Sequence, residues 1–397
     1  MVIDFSRKLE PSIEGIATGV PAHVVFQDDA AEFVANIPEL KQHEHRIKKI
    51  YKNTRIQARH LAINLLTNET LAFSRKRNTI EERMHLFEKF GVPLATEVAS
   101  KAFLRTLKCT RFLTLDDLKE SVGLIVFVTS TGFSAPGIDA KLVKILGLRR
   151  DIARIPINFM GCAAAMNGIR AGCNYVRANP SRKALVICLE LSSINAVFED
   201  QMNDVIIHSI FGDGCAAVVI GACEGEELSK RQNRFVIRDN FSYLSKNTED
   251  GIILGVRDNG VTCLLSRELP NYIQDNVGSI INNYLESRNL TKANIDLWVV
   301  HPGGTKIVEN AQVSLGLSDR QVAHSWEILA QYGNTLSCAS LFVIDRMLSR
   351  IGSTEANSDG SNEVNEKNFL DGRKTSLGIA FSFSPGVGIE GLLFEMF

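Results

Sequence analysis

Three residues set far apart in the chain, Cys162, His301 and Asn334, form a set able to manage the charge of a thioester. Cys162 stands in the stretch Asn158-Phe159-Met160-Gly161-Cys162-Ala163-Ala164-Ala165-Met166-Asn167-Gly168, where a buried apolar strand is expected to hand over to a helix. The first residues of that helix follow the cysteine, so the sulfur lies over unpaired amide N–H groups at the positive end of a helix dipole. Both favour negative charge, and the thiol is expected to ionise more readily than a free one. The bland alternative is a small buried hydrophobe. His301 ends a second apolar run beside Pro302-Gly303-Gly304, whose glycines let a ligand approach the backbone. Its imidazole can take the thiol proton, and imidazole and the Asn334 carboxamide can both donate to a developing oxyanion. The same donors could hold the enolate left when a malonyl thioester loses carbon dioxide.

The elements that must bring these residues together are repeated in the sequence. Leu124-Ile125-Val126-Phe127-Val128 reads as a buried strand, followed by Thr129-Ser130-Thr131-Gly132 and a helix ending Leu146-Gly147-Leu148. Leu297-Trp298-Val299-Val300 is followed in the same way by His301-Pro302-Gly303-Gly304 and a helix ending Leu315-Gly316-Leu317. Cys162 then begins one helix and Asn334 its counterpart. Strands follow at Ala184 to Leu189 and Ser376 to Phe381, and again at Ala216 to Ile220 and Gly391 to Phe397. Such a duplication implies two similar α/β halves, residues 1–230 and 231–397, stacked so that matching helix starts meet at a shared centre.

Elsewhere the text is structural or electrostatic. Residues 11 to 25 read as a strand and turn, and Asp28 to Tyr51 as helical and increasingly basic. In Arg46-Ile47-Lys48-Lys49-Ile50-Tyr51-Lys52-Asn53-Thr54-Arg55, five cations flank an apolar face with no carboxylate among them, which suits either a solvated surface or a clamp for phosphates. Asn78 or Thr79 with Glu81 or Glu82 offers a capping box, and a second helix is expected over Thr96 to Lys108 with Val98, Ala102, Leu104 and Leu107 buried. Cys223 to Asn233 reads as a connection between halves, and Ser353 to Lys374 as a long polar surface loop.

With 397 residues, 45% hydrophobic and 22% charged, the chain can bury a large core, and a net charge of -1 offers no global attraction for nucleic acid. No apolar run reaches the length of a membrane span, and Met1 to Glu10 lacks an apolar signal core. The eight cysteines, with no Cys-x-x-Cys pair, are therefore expected to be reduced thiols of a cytoplasmic protein rather than zinc ligands. His43-Glu44-His45 reads as a solvated surface. Gly132-Phe133-Ser134-Ala135-Pro136 lacks the last glycine of a nucleophile elbow, and no Walker loop or dinucleotide fingerprint is present.

Gly161-Cys162-Ala163-Ala164, Ile210-Phe211-Gly212-Asp213-Gly214, His301-Pro302-Gly303-Gly304, Tyr332-Gly333-Asn334 and Phe383-Ser384-Pro385-Gly386 together resemble the type III polyketide synthases, the chalcone synthase family. The resemblance implies a thiolase-like α/β fold, two duplicated halves stacked as a five-layer αβαβα sandwich, working as a homodimer. It implies malonyl-CoA and acyl-CoA as substrates, with no carrier protein, metal or other cofactor. Cys162 would carry the growing chain, and His301 and Asn334 would activate it and drive malonyl decarboxylation. Phe211 resembles the gatekeeper between CoA tunnel and cavity. Arg46 and Lys49 match basic positions for the CoA phosphates; a third such position holds Asn53, so Lys52 stands in, with Lys306 a further candidate.

Departures bear on substrate. Serines 382 and 384 replace two glycines of the C-terminal loop, whose Phe383 is assigned to the cavity wall, and a positive φ at either would strain the backbone. Cys263 replaces a phenylalanine, and Ala135 a methionine that reaches across the dimer. These smaller walls would let a long aliphatic starter thread past Thr131, Ala135 and Ser192, while Asn195 and Leu336 stand where the family varies with product. The expectation is fatty acyl-CoA starters extended to alkylpyrones or alkylresorcinols, with a malonyl-only aromatic product as the neighbouring possibility. The rivals are a class III ketoacyl-acyl carrier protein synthase and a catalytically idle lipid-binding scaffold.

Overall fold

The computed structural model describes residues 9–67, 79–110, 114–197, 202–224, 235–353 and 375–397. Most of the polar stretch expected as a surface loop (354–374) and of the expected connection (225–233) lies outside the described residues. The strands are β1 (Leu9–Gly19), β2 (His23–Phe26), β3 (Ala58–Leu61), β4 (Val122–Thr129), β5 (Ala153–Asn158), β6 (Lys183–Glu190) and β7 (Gly214–Glu224). They continue with β8 (Phe235–Leu244), β9 (Ile252–Arg257), β10 (Gly260–Leu265), β11 (Leu297–Val300), β12 (Ser376–Ser384) and β13 (Gly388–Met396). The helices are α1 (Gln27–Ala35), α2 (Glu44–Asn53), α3 (Ile80–Cys109), α4 (Leu115–Ser121), α5 (Ile138–Ile145) and α6 (Ala164–Ala178). After these come α7 (Met202–Ile210), α8 (Leu269–Glu286), α9 (Thr305–Leu315), α10 (Ala323–Tyr332) and α11 (Ala339–Ser353).

The duplication read in the sequence is visible strand by strand. In the first half β1 pairs antiparallel with β7 and β7 with β6, while β6, β4 and β5 run parallel. In the second half β8 pairs antiparallel with β13 and β13 with β12, while β12 and β11 run parallel. A short β1–β8 pairing at Ser12 and Ile13 joins the two into one nine-stranded sheet, which the sequence did not announce.

The side chains sort into five layers. One cluster packs α3 and α5 on the outer face of the first half, where Phe87, Val98 and Leu142 meet Phe127, Leu185 and Ile187. A second packs α8 and α9 on the outer face of the other half through Ile273, Val308, Trp298 and Phe381. Between the two inner faces lie α6 and α11, which share one core with Val126, Val186, Val218, Val299, Ala380 and Phe394. Strands covered on both faces read as continuous apolar runs, as β4 does throughout. The layer between the sheets holds the helices that follow Cys162 and Asn334, so the stacking itself brings their first turns together.

Two local expectations change. The strand before Cys162, β5, is the edge of the sheet and mostly exposed, not buried, because only β4 pairs with it. The two helices expected before residue 109 are one, α3, begun by a Thr79–Glu82 capping box and continuing past Pro93. Burial of Phe87, Ala95, Val98, Ala99, Ala102 and Phe103 along one side outweighs the hydrogen bond a proline removes. That face continues through Thr106, which leaves Leu104 exposed and Leu107 half-buried.

The central layer admits no excess volume. A Cβ on Gly168 of α6 would stand 2.9 Å from Val186 Cγ1 and 3.1 Å from Val128 Cγ2. Gly168→Val is expected to lower stability by about 1 to 3 kcal/mol, read as a lower urea midpoint; an unchanged midpoint would show that the helix can move off the sheet freely.

Candidate active site

The chain leaves β5 through two left-handed residues, Phe159 and Gly161, each at φ 57°. They turn it into a short 3-10 segment, Gly161–Ala163, that runs on into α6. The Gly161 N–H donates to Ser130 Oγ at 3.0 Å, and a Cβ on Gly161 would lie 3.2 Å from the Pro385 ring. Cys162 is thereby fixed between the end of β4 and the C-terminal loop, at the start of a helix as expected.

Asn334 is pinned along its whole length. Its backbone N–H donates to Ile210 O at 2.9 Å and its carbonyl accepts from Gly212 N–H at 3.0 Å, so Phe211 and Asn334 form a parallel bridge. In the side chain, Oδ1 accepts from the Leu336 N–H at 2.8 Å and Nδ2 donates to Gly303 O at 3.1 Å. Those partners define which end of the amide is nitrogen, and that nitrogen faces Cys162 Sγ at 3.7 Å.

His301 is buried at the end of β11, held by its N–H to Phe381 O at 3.2 Å. Nδ1 lies 3.4 Å from Ser340 Oγ, and Nε2 has no hydrogen-bond partner among the described residues. Nε2 would also be 3.1 Å from a Cβ on Gly303, the residue whose carbonyl holds Asn334. The three residues that the sequence placed at one centre are thus joined, Cys162 to Asn334 directly and Asn334 to His301 through Gly303.

Ionisation departs from expectation. Burial pushes the Cys162 thiol up to about 12, against the lowering effect of the Asn334 and backbone hydrogen bonds, and burial pulls His301 down to about 3. The helix start does not overcome desolvation, which opposes charge on both the thiol and the imidazole. Moving the proton from one to the other creates two opposite charges in one pocket, whose attraction offsets part of that cost.

A buried carboxyl under the site was not foreseen. Glu190, at the end of β6, accepts the Ser130 N–H at 3.0 Å, the Thr131 hydroxyl at 2.7 Å and the Ser337 hydroxyl at 2.6 Å. It ties the strand end that supports Gly161 to the turn that follows Asn334. In the sequence it was hidden as the last residue of an apolar run.

Beside the cluster in which Cys162 packs with Phe211, Leu336 and Cys263 lies a partly open cavity lined by Ser130, Thr131, Ser192, Asn195, Phe211, Cys263 and Leu336, with Ile207, His208, Leu254, Val261 and Thr262. A second chamber shares its Cys263 wall and leads to Asp204, Arg257 and Asn259. Six of the eight expected wall residues are present. Ala135 is not among them: it is exposed, on the loop before Pro136. Phe383 is not either, since it is buried edge-to-face against Phe381. Ile207 and His208 could have been found from their helical spacing to Phe211; the β9–β10 wall, where Leu254 pairs with Cys263, leaves no such signal. Neither loop serine needs a positive φ, as Ser382 pairs regularly with Glu390 and Ser384 is extended at φ -101°.

The basic stretch is only partly a patch of open charge. Lys48 pairs with Glu32 and Glu44, and Arg55 and Lys306 both pair with Glu309. Arg46, Lys49 and Lys52 remain exposed at helical spacing on α2. That helix is tied to the His301 turn by the Thr305 hydroxyl, which donates to Thr54 O at 2.7 Å.

Burial raises Glu190 to about 7 from an ordinary 4.5, and Asp213 to about 6 from 3.8. Between those limits the folded carboxyls hold protons that the unfolded chain releases, so stability should fall as pH rises from about 4.5 to 7, by on the order of 3 kcal/mol for Glu190. Glu190→Gln is expected to flatten that slope in urea titrations at several pH values; an unchanged slope would show that Glu190 does not titrate there.

Known proteins carry the same organisation. Residues 8–224 match the family model for the N-terminal domain of chalcone and stilbene synthases, and residues 240–397 match the model for the C-terminal domain. The alpha-pyrone synthesis polyketide synthase-like Pks18 of Mycobacterium tuberculosis is 45% identical over 97% of this chain and 91% of its own length. Polyketide synthase 37 of Dictyostelium discoideum is 30% identical over 92% of this chain, which corresponds to 11% of that longer protein. Among solved structures, PKS-I of the brown alga Ectocarpus siliculosus superposes with a TM-score of 0.86 at 37% identity, covering 98% of this chain and 99% of that one. The C-terminal type III polyketide synthase domain of Dictyostelium Steely1 superposes with a TM-score of 0.80 at 25% identity, over 98% and 99% of the two chains. With its thiolase-like layers, its duplicated halves and these matches over nearly its whole length, the chain belongs to the chalcone and stilbene synthase family of type III polyketide synthases, which are acyl-transferring condensing enzymes.

Proposed function

We propose that the protein extends a long-chain fatty acyl-CoA starter with malonyl-CoA and closes the product to an alkylpyrone or alkylresorcinol. The observation that carries this reading is the Cys162–Asn334 contact, with Cys162 packed in one cluster with Phe211, Leu336 and Cys263, which line a cavity whose walls are small or apolar at Thr131, Ser192 and Cys263. Cys162 Sγ attacks the starter thioester as its proton passes to His301 Nε2, and the CoA thiolate leaves. Malonyl-CoA then loses carbon dioxide, and the negative charge moves onto its thioester oxygen. Asn334 Nδ2–H and His301 Nε2–H donate to that oxygen, and the enolate carbon attacks the acyl group on Cys162. Arg46, Lys49 and Lys52 receive the CoA phosphates, with Lys306 weakened for that role by its pairing with Glu309. Phe211, which lines the cavity, would gate it from that face, and its backbone bridge to Asn334 would couple gate and site.

The pyrone in the name of Pks18 supports lactone closure among the possible ring closures. The same reading takes the enzyme as a cytoplasmic homodimer that needs no metal or organic cofactor. No described helix is long and apolar enough to cross a membrane, no disulfide joins the eight cysteines, and β5 leaves an exposed sheet edge beside the Ala135 loop for a second copy.

Purified enzyme given malonyl-CoA and acyl-CoA starters of increasing length should release pyrones or resorcinols without a carrier protein or added metal. Specificity should rise through the long chains, by roughly 0.8 kcal/mol for each methylene buried. Cys263→Phe should fill the shared wall and move the preferred starter to shorter chains. Failure of all chains beyond about eight carbons would refute the cavity assignment, and dependence on malonyl carrier protein would point to a ketoacyl synthase instead.

A further inference from the structure

His301 has two ring nitrogens, and the foregoing steps use only Nε2. Nδ1 points the other way, into a buried place occupied by two hydroxyls. Ser340 Oγ lies 3.4 Å from Nδ1, and Ser340 Oγ is 2.7 Å from Ser382 Oγ. Ser340 and Ser382 have no solvent exposure and His301 almost none. The two serines come from different elements, Ser340 from the first turn of α11, the helix that follows Asn334, and Ser382 from β12, which runs alongside β11. Ser382 is also one of the two positions at which the chain departs from the glycines of the C-terminal loop in the family it resembles. A glycine there would leave Ser340 without this partner.

From this geometry we infer that Ser340 and Ser382 are positioning residues for His301: Ser340 accepts the Nδ1–H and donates its own proton to Ser382, which keeps the Nε2 lone pair free for the Cys162 thiol. The inference rests on the reading of His301 as the base. A neutral imidazole carries one proton, and which nitrogen holds it follows from the hydrogen bond the other environment offers. With an oxygen acceptor behind Nδ1, the proton stays there and Nε2 faces the site unprotonated. When Nε2 takes the thiol proton the ring becomes a cation, and the same hydroxyl then accepts a charge-assisted bond, which shortens the 3.4 Å contact and lowers the energy of the thiolate–imidazolium pair. No atom is gained or lost in the step: the proton leaves Sγ, joins Nε2, and Nδ1 keeps its own.

The groups around the imidazole leave this task to the hydroxyls. Among the described residues, the titratable neighbours of the site are the Cys162 thiol, the Cys263 thiol beside it and, behind the Cys162 and Asn334 turns, Glu190; Phe381 and Gly303 contribute backbone contacts. Burial is the one influence that moves the imidazole away from its ordinary titration range, and it opposes the charged form. A buried ring that must become a cation during the reaction needs an acceptor on its far side, and Ser340 is the polar side chain placed to supply it.

The test is the pH profile of Cys162 alkylation by iodoacetamide, followed by mass spectrometry of the Cys162 peptide in the full-length enzyme. Ser340→Ala should move the profile to higher pH by about one unit and slow alkylation at neutral pH by about tenfold. Ser382→Ala, which removes only the distal hydroxyl, should move it in the same direction by a smaller amount, about two- to threefold in rate. If Ser340→Ala does not fold, Ser382→Ala decides the matter alone. Thermal denaturation of each variant separates packing from proton control: a lower melting temperature with the wild-type pH profile would overturn the inference. His301→Gln distinguishes the two levels of the claim. If it changes the profile and neither serine variant does, the hydroxyl pair has no part; if it leaves the profile unchanged, His301 is not the base and the parent reading falls as well.

Discussion

The site depends on a single carboxamide being held from every side. Asn334 is bound through its backbone to Ile210 and Gly212, through Oδ1 to the next turn and through Nδ2 to the carbonyl of Gly303. What remains of its hydrogen-bonding capacity faces one sulfur. Residues from both halves of the chain are thus locked to each other by bonds that leave the amide no freedom to rotate, and preorganised donors of this kind stabilise developing charge without reorganising at the moment of reaction.

That lock follows from the layers. Each half carries the same strand pattern, and α6 and α11 both lie between the two sheets, where the small side chains Ala164, Ala165, Gly168 and Gly172 let helix and sheet approach closely. A pair of helices confined to one layer must begin near each other. Glu190 then fixes the relative height of the two starts, because its carboxyl bonds the end of β4 on one side and Ser337 on the other. The arrangement favours fixed geometry over ease of charging, and burial opposes charge on both thiol and imidazole.

Much of this was legible in the sequence, for physical reasons. Buried parallel strands write themselves as apolar runs, and the duplication of such runs put His301 and Asn334 at matching ends, where the structure brings Asn334 to Cys162 and to the turn after His301. Positions decided by pairing rather than by composition were not legible. β5 is apolar enough to pass for a buried strand yet lies at an edge, and Leu104 fits a helical stripe yet falls outside the face that α3 buries. Ala135 and Phe383 stand at matched positions of a family pattern, but in the single chain neither lines the cavity: Ala135, matched to a residue that reaches across the dimer, is exposed, and Phe383 packs on Phe381. Glu190 carried no signal because a single acid ending an apolar strand resembles a turn residue. The charge of the α2 stretch was overstated for a similar reason: Glu32 and Glu309, which neutralise part of it, come from elsewhere in the chain.

The cavity and the centre make separate contributions. In the proposed function, walls such as Cys263 and Ser192 would govern what fits, while the sulfur, imidazole and carboxamide would govern whether a thioester reacts at all. The latter is tested most directly by incubating the enzyme with a fatty acyl-CoA alone, quenching in acid and mapping the acyl group by peptide mass spectrometry. One acyl group on Cys162, absent from the Cys162→Ala variant, is the predicted result. Acylation at a different cysteine, or none on an enzyme that still forms product, would contradict it.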